Sequence, residues 1–405
     1  MRKVSFRIGN PVLGSPTVEG RVAQGIEAQG IESWQVVVIG GGIAGASIAA
    51  ELAACDARVL LLEREPQPGY HTTGRSAALF TVSYGPPVIR ALSRASAAAF
   101  HAPGDAMRPH PLLRPRGAVF LSRPDQLAAL DAMETELGAS VARLDRATLR
   151  DMLPILRPDY VAGGLIDRQA ADIDVDALHR QYLRRLAAAG GELRCGAEVL
   201  ALARDGAGWL VETPEGALRA EIVVNAAGAW ADDLAAKADV VRIGLLPKRR
   251  TALLVAAPED ATPDAWPMAV DIDERFYIKP DAGKLLISPA DETPSPPCDA
   301  QPEEMDVAIC IDRIQRAFDL PVRRIEHKWA GLRSFVADKC PVAGYAPDAP
   351  GFFWLAGQGG YGIQSAPALA RFAAALALGR PLPADVTDEG VSTDALAPRR
   401  KALAA

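Results

Sequence analysis

The sequence is informative first in what it lacks. No apolar run among its 405 residues approaches the length of a membrane span. It has five cysteines, Cys55, Cys195, Cys298, Cys310 and Cys340, and no two of them stand as C-x-x-C or at metal-ligand spacing. A zinc site and a disulfide framework therefore find no support, no metal is expected, and each thiol reads as a small buried hydrophobe in a reducing compartment. Positive charge is not in excess either. With 44 Lys and Arg against 50 Asp and Glu the net charge is −6, which leaves no electrostatic footprint for nucleic acid. Residues 1–33 carry Gly, Pro, Gln and Glu without periodicity and without the apolar core of a signal peptide, so they read as a mobile extension ahead of the fold. The expectation is a soluble cytoplasmic enzyme.

What is present begins with Gln35-Val-Val-Val-Ile-Gly-Gly-Gly-Ile-Ala-Gly-Ala-Ser47. Residues 36–39 are a short β-branched run with the look of a buried parallel strand. Gly40, Gly42 and Gly45 spell G-x-G-x-x-G where that strand turns into a helix. The first serves the tight turn, the second the close approach of backbone to a diphosphate, and the third helix–strand packing. A second strand over residues 58–62 ends on Glu63, about 20 residues past the glycines, where a carboxylate meets a ribose hydroxyl. Strand, helix, strand and acid in this order make a dinucleotide-binding unit rather than an ordinary glycine turn.

Residues 64–78 follow as a Pro/Gly loop on the ligand side of the sheet, and Ser76-Ala-Ala begins a helix-like run. Helices are predicted over 86–100, 126–137 and 305–318. Another starts with Asp174 as N-cap and keeps Val175, Leu178, Tyr182 and Leu186 at helical spacing. Strands are predicted over 117–121, 192–195, 197–203, 209–212 and 222–225. The last runs into a small-residue turn that delivers backbone close to a ligand, so the first sheet resumes there and its domain is discontinuous. Residues 248–256, 276–279 and 285–288 alternate as strands of an antiparallel sheet in a second domain.

A strand at 352–355, a glycine loop and an Ala/Leu-rich helix over 365–378 close the pattern. Gly357, Gly359 and Gly362 again spell G-x-G-x-x-G, but no strand ending in an acid follows, so a nicotinamide site is not supported. The helix N-terminus is better read as aimed at a group that becomes negative, such as the N1/C2-carbonyl edge of a flavin on reduction.

Several longer motifs carry a resemblance. They are Val38-Ile-Gly-Gly-Gly-Ile-Ala-Gly-Ala-Ser47, residues 62–78, Val224-Asn-Ala-Ala-Gly-Ala-Trp230, Pro247-Lys-Arg-Arg250 and Trp266-Pro-Met268. Further on come Phe276-Tyr-Ile-Lys-Pro-Asp-Ala-Gly283, Trp329-Ala-Gly-Leu-Arg-Ser-Phe-Val-Ala-Asp338 and Gln358-Gly-Gly-Tyr-Gly-Ile-Gln364. Over about residues 35–395 the chain resembles the D-amino-acid oxidase-like flavoproteins, the family with glycine oxidase and sarcosine oxidase, and within it the D-arginine dehydrogenases.

The resemblance implies non-covalent FAD and an α/β fold, a Rossmann-type FAD-binding domain interleaved with a substrate domain on an antiparallel β-sheet with helices. The FAD-binding domain would comprise residues 34–84, 157–240 and 329–395, the substrate domain 85–156 and 241–328, and a C-terminal tail 396–405. It implies oxidation at a carbon bearing an amine, giving an imine that hydrolyses to a 2-oxo acid and ammonia. Oxygen or a quinone-type carrier would take the electrons.

Residue by residue, it implies FAD contacts from Gly40, Gly42, Ile43, Ala44 and Gly45, then from Glu63 and Arg64. Arg75, Ser76 and Ala77 would pass the isoalloxazine, with Val199, Ala226, Gly228 and Trp230 on another side. Gly331 and the loop of Gly357, Gly359, Gly360, Tyr361, Gly362, Ile363 and Gln364 complete the set. Arg250 and Arg333 would clamp the substrate carboxylate, for which a guanidinium fork is chemically suited. Arg249 reads as a structural ion pair. Tyr84 and Tyr277 match pocket tyrosines, and the Gly360 carbonyl would accept from the substrate amine. His71 reads as structural, and Cys340 stands too far past the arginine motif for a covalent flavin link.

Two departures bear on specificity. The D-arginine dehydrogenases read the guanidinium of their substrate with a glutamate after a Pro-Leu-Leu segment, where this chain has Gly117 and Ala118. Their pocket histidine is replaced by Leu79. With Met268 and Val270 as further walls and Asp271 turned away by strand alternation, the pocket reads as apolar. The expected activity is a D-amino-acid dehydrogenase favouring neutral, apolar side chains over D-arginine. A secondary-amine or 2-hydroxy-acid oxidoreductase, D-arginine dehydrogenase proper, and a flavin-binding protein without turnover are the alternatives.

Overall fold

Two large sheets carry most of the strands. The computed structural model describes residues 31–403, so residues 1–30 of the expected extension lie outside the described residues. The elements that position the site are, through the first half of the chain, β1 (Glu32–Ile39), α1 (Ile43–Ala53), β2 (Val59–Leu62), β3 (Ala118–Ser122), β4 (Gly163–Asp167), α2 (Val175–Ala188), β5 (Glu192–Arg194) and β6 (Gly216–Asn225). The second half adds β7 (Leu246–Ala256), β8 (Met268–Asp271), β9 (Tyr277–Asp281), β10 (Lys284–Ser288), β11 (Ile325–Phe335), β12 (Phe352–Ala356) and α3 (Gly362–Ala377).

In the first sheet β6, β1, β2 and β5 lie side by side. Val36 pairs with Val59 and Leu60 with Glu192, both in parallel register, and β12 runs parallel to the end of β6 with Val223 opposite Phe352. Val36 and Val38 pack with α1, α2 and α3 on one face, whereas Val37 and Ile39 pack with Trp209 and Trp354 on the other. Burial on both faces is why these strands read as unbroken apolar runs. Asp174 caps α2 by accepting from the Ala177 N–H at 2.8 Å. At the β1–α1 turn, a Cβ on Gly45 would sit 1.8 Å from the Gly40 carbonyl oxygen, so helix and strand approach only through glycine.

The second sheet has nine strands. β7 pairs along its length with β11, bringing Lys248 opposite Arg333 and Arg250 opposite Gly331, and on its other edge with β10. β8, β9 and β10 continue antiparallel, but β8 lies parallel to β3 with Met268 opposite Ala118. The sheet is therefore mixed, not purely antiparallel, because the chain reaches β8 from β7 rather than by a hairpin from β3. β11 and β4 belong to this sheet, so it does not end at the boundaries expected at residues 329 and 157.

Other local expectations give way to tertiary contacts. A third, small sheet joins residues 79–80, 113–115 and 171–173. Ser76-Ala-Ala does not start a helix. One 3-10 turn covers Thr73–Arg75, after which Ala78 sits at φ +57°. Residues 197–200 are not strand, since Ala197 N–H is drawn to the Glu63 carbonyl at 2.9 Å. Residues 396–403 of the expected C-terminal tail are docked: Leu396 is fully buried and Arg400 ion-pairs Asp338 at 2.6 Å. Of the five thiols only Cys310 is fully buried.

Candidate functional site

A cavity of about 430 Å³ opens at the carboxyl ends of β1 and β2. Gly40 turns the chain at φ +110°, and a Cβ there would lie 2.4 Å from the Ala226 carbonyl oxygen. Gly42, Ile43 and Ala44 carry the start of α1 along one wall. No side chain caps α1 from Gly42, and the Ile43 N–H donates to Thr73 Oγ1 at 2.9 Å. Glu63, at the end of β2, lines the cavity while its carboxylate accepts from the N–H groups of Gly41 and Glu65 at 2.8 and 2.9 Å. Arg64 stacks over the Trp230 ring at 4.1 Å, and both line the same end, with Val199, Ala226 and Gly228 nearby on the wall. Helix N-terminus, carboxylate and glycine walls fit the diphosphate and ribose of a dinucleotide.

The cavity continues past Arg75, Ser76, Ala77 and Gly331 and along Gly357, Gly359, Gly360, Gly362 and Ile363. The Arg75 guanidinium does not reach into it for a ligand. It donates to the carbonyls of Ala300 and Ala330 at 3.0 and 2.9 Å and pairs with Asp299.

A second chamber of about 70 Å³ adjoins the first, and Ser76, Ala77, Arg250, Tyr277, Arg333 and Gly360 line both. Leu79, Ala118, Met268 and Val270 form its apolar side, Tyr84 and Gln364 also face it, and Asp271 does not. Asp271 is fully buried among Gln126, Arg123 and Tyr160 instead.

The two arginines at the junction differ from their neighbour. Arg249 is committed to Glu303 and to Asp306 at 2.8 Å. Arg250, one residue along β7 and so on the opposite face, donates to the Asp291 carbonyl at 2.8 Å and only grazes Glu292 at 3.4 Å. Burial, and then the like charge of Arg333, push its guanidinium below the ordinary value. The Arg333 side chain makes no hydrogen bond or ion pair with any of the described residues; Tyr84, Tyr277, Tyr361 and Glu274 act on it only through their charge. It lies flat on Gly360, where an added Cβ would meet its Cζ at 2.9 Å.

Two of the residues expected at the cofactor line neither cavity. Gly45 is spent on helix–strand packing, and Tyr361 is buried against Tyr84 and Phe335 with ring centroids 5.2 and 6.3 Å away. The sequence also hid two residues. Thr73 lies about 30 residues from the helix it meets, and nothing local marks it. Glu274 reads as a solvated hairpin acid in Asp-Ile-Asp-Glu-Arg, yet it lines the small chamber and accepts from the Tyr84 hydroxyl at 3.0 Å. The expectation of a chamber without an acid is therefore corrected. The signal was its place in the turn between Val270 and Tyr277, both chamber residues.

A cavity whose walls fit a dinucleotide and that opens onto an arginine-lined chamber is the arrangement a nucleotide-cofactor oxidoreductase needs. Residues 35–376 match the family of FAD dependent oxidoreductases designated DAO, and the chain belongs to it. It is an FAD-dependent oxidoreductase. Glycine oxidase of Geobacillus kaustophilus is 26% identical over 350 residues, covering 82% of this chain and 90% of that protein. A crystal structure of glycine oxidase from the same organism superposes with a TM-score of 0.75 at 24% identity, over 86% of this chain and 96% of that one. L-α-glycerophosphate oxidase from Mycoplasma pneumoniae, with FAD bound, gives a TM-score of 0.78 at 17% identity, over 87% of this chain and 96% of that one. Human mitochondrial dimethylglycine dehydrogenase is 24% identical over 271 residues, 63% of this chain but 30% of that longer protein. Among the described residues no helix is long and apolar enough to cross a membrane, and no cluster of potential metal ligands occurs.

Proposed function

We propose that the protein oxidises D-amino acids with neutral, apolar side chains to 2-oxo acids and ammonia. FAD, when bound, supplies the hydride acceptor. The observation that carries the reading is Arg333, a guanidinium in the chamber wall with no ion pair among the described residues, whereas Arg249 pairs with Asp291, Glu303 and Asp306. A cation in such a place is suited to an anionic ligand, and a carboxylate meets it through paired hydrogen bonds. Arg250 supplies the second arm. The Gly360 carbonyl accepts from the substrate amine, which must be neutral for its lone pair to form the C=N bond as hydride leaves Cα. Water then hydrolyses the imine. Leu79, Ala118, Met268 and Val270 receive the side chain, and Tyr84 and Tyr277 close the chamber.

Non-covalent attachment of FAD is supported by Cys340, which lines neither cavity. The D-arginine dehydrogenase-like branch rests on sequence motifs alone, and the acceptor for the second half-reaction is oxygen or a quinone-type carrier. A second reading, oxidation of an N-methylated amine, is favoured by the named activity of dimethylglycine dehydrogenase. Anaerobic mixing of the FAD-loaded protein with D-leucine, sarcosine and D-lactate separates the readings. Bleaching of the flavin by D-leucine first is the expected result, and bleaching by sarcosine alone overturns it.

A further inference from the structure

Behind the wall shared by the two cavities runs a chain of charges that the reaction as described does not use. Lys279 is 4% exposed, and its ammonium donates to the Ala77 carbonyl and to Asp172 Oδ1, each at 2.9 Å. Asp172 Oδ2 accepts in turn from Arg116 Nε at 2.7 Å, and Arg116 donates onward to the carbonyls of Asp264 and Trp266 at 2.6 and 3.0 Å. Two cations and one carboxylate leave this buried chain with one positive charge in excess.

Its members stand next to four residues of the small chamber, Tyr277, Leu79, Ala118 and Met268. Lys279 is two residues from Tyr277 on β9 and so on the same face of the sheet. Asp172 pairs with Leu79, Arg116 precedes Ala118 by two, and Trp266 precedes Met268 by two.

The backbone it grips is also unrelaxed. Ala78 lies at φ +57°, a region disfavoured for a residue with a Cβ. Such a conformation persists only where the surroundings over-determine it. Here the Ala78 N–H donates to Ser76 Oγ at 3.0 Å, the Ile173 N–H donates to the Ala78 carbonyl at 2.9 Å, and Lys279 holds the carbonyl before it.

We propose that Lys279, seated by Asp172 and Arg116, is a positioning residue that fixes the Ala77 carbonyl where the two cavities meet and sets the positive potential felt by the flavin there. The inference rests on reading the larger cavity as the FAD site and the smaller as the substrate chamber. A fixed positive charge one hydrogen bond behind that wall favours the reduced flavin, which gains negative charge. The held backbone keeps substrate and cofactor in reacting alignment, where small displacements are costly.

The test uses the FAD-loaded protein as Lys279→Met, Lys279→Arg and Asp172→Asn. It reads the flavin midpoint potential by dye-equilibrated reduction and the single-turnover rate with D-leucine. Lys279→Met lowers the potential, Asp172→Asn raises it, and Lys279→Arg stays near wild type. Reduction of Lys279→Met by D-leucine slows about 10- to 100-fold, with little change in the half-saturating D-leucine concentration. Potentials that do not move, or that move in the same direction for Lys279→Met and Asp172→Asn, overturn the proposal, because loss of mere structural support carries no sign. If Lys279→Met does not fold, Arg116→Met removes a charge from the same chain and must also lower the potential. A wild type that no D-amino acid reduces sinks the substrate reading alone, and the potentials still decide the role of Lys279.

Discussion

The Tyr84 hydroxyl donates to the Glu274 carboxylate at 3.0 Å and so ties the loop after residue 80 to the turn between β8 and β9. Both residues face the small chamber, and Glu274 is itself exposed at φ +55°. An acid at the rim is available to a long cationic side chain, but the apolar walls deeper in are not. D-leucine is therefore expected to exceed D-arginine in kcat/KM on the wild type. Glu274→Gln should widen that ratio by lowering D-arginine only, whereas D-arginine as the best substrate refutes the apolar reading.

Arg250→Ala and Arg333→Ala should each weaken substrate and spare the cofactor. Loss of one charge-assisted arm costs roughly 1.5–3 kcal/mol, or about 10- to 100-fold in kcat/KM. The measurement is steady-state kinetics beside the FAD content of the purified variants. Unchanged kinetics in either variant makes that arginine a bystander.

Gly360→Ala tests the seat of Arg333 without removing a charge. The added Cβ would stand 2.9 Å from Arg333 Cζ, so the guanidinium must move. A fall in kcat/KM of about tenfold with FAD still bound is expected, since a misplaced binding group can cost as much. Gly45→Ala, with its Cβ 1.8 Å from the Gly40 oxygen, should instead abolish FAD binding and lower Tm.

Burial raises the Tyr84 phenol above its ordinary value; Arg333 opposes the shift and Glu274 adds to it. The hydroxyl thus stays a donor throughout the range in which a substrate amine deprotonates. kcat/KM should rise with pH through the amine pKa without a fall near the usual tyrosine pKa. Tyr84→Phe should keep the rising limb, and loss of that limb would assign it to Tyr84.

Asp338 is half-buried, which works to raise its pKa, but Arg400 overrides this and holds the carboxyl below the usual range. A depressed folded-state pKa means stability that is present above the unfolded value and lost as pH falls through the folded one. Arg400→Ala should lower stability by about 1–2 kcal/mol at pH 7 and by less at an acidic pH below the folded-state pKa of Asp338, where only the bonds of Arg400 to the Pro341, Ala397 and Cys340 carbonyls remain to be lost. Thermal melts at the two pH values check it, and an equal loss at both would place the effect in packing.

Much of the first domain was legible in the chain because its signals are local. Periodicity, glycine spacing and the acid at the end of β2 each act over a few residues, and Asp174 announces its helix by capping it. The paired arginines were legible from chemistry joined to motif. What tertiary structure alone decided lies where distant segments meet. Thr73 faces α1, Glu274 reaches Tyr84 across 190 residues of chain, and Lys279 reaches Ala77 across 202. Ser76-Ala-Ala shows the competition directly. Its alanines favour helix, but a side-chain bond from β9 and a pairing with the small sheet hold it extended and bent. Helix propensity is worth tenths of a kcal/mol per residue, and a buried hydrogen bond to a charged lysine is worth more. The sequence alone thus determined the nucleotide fold and its chemistry, while the shape and charge of the chamber came from contacts that no local pattern encodes.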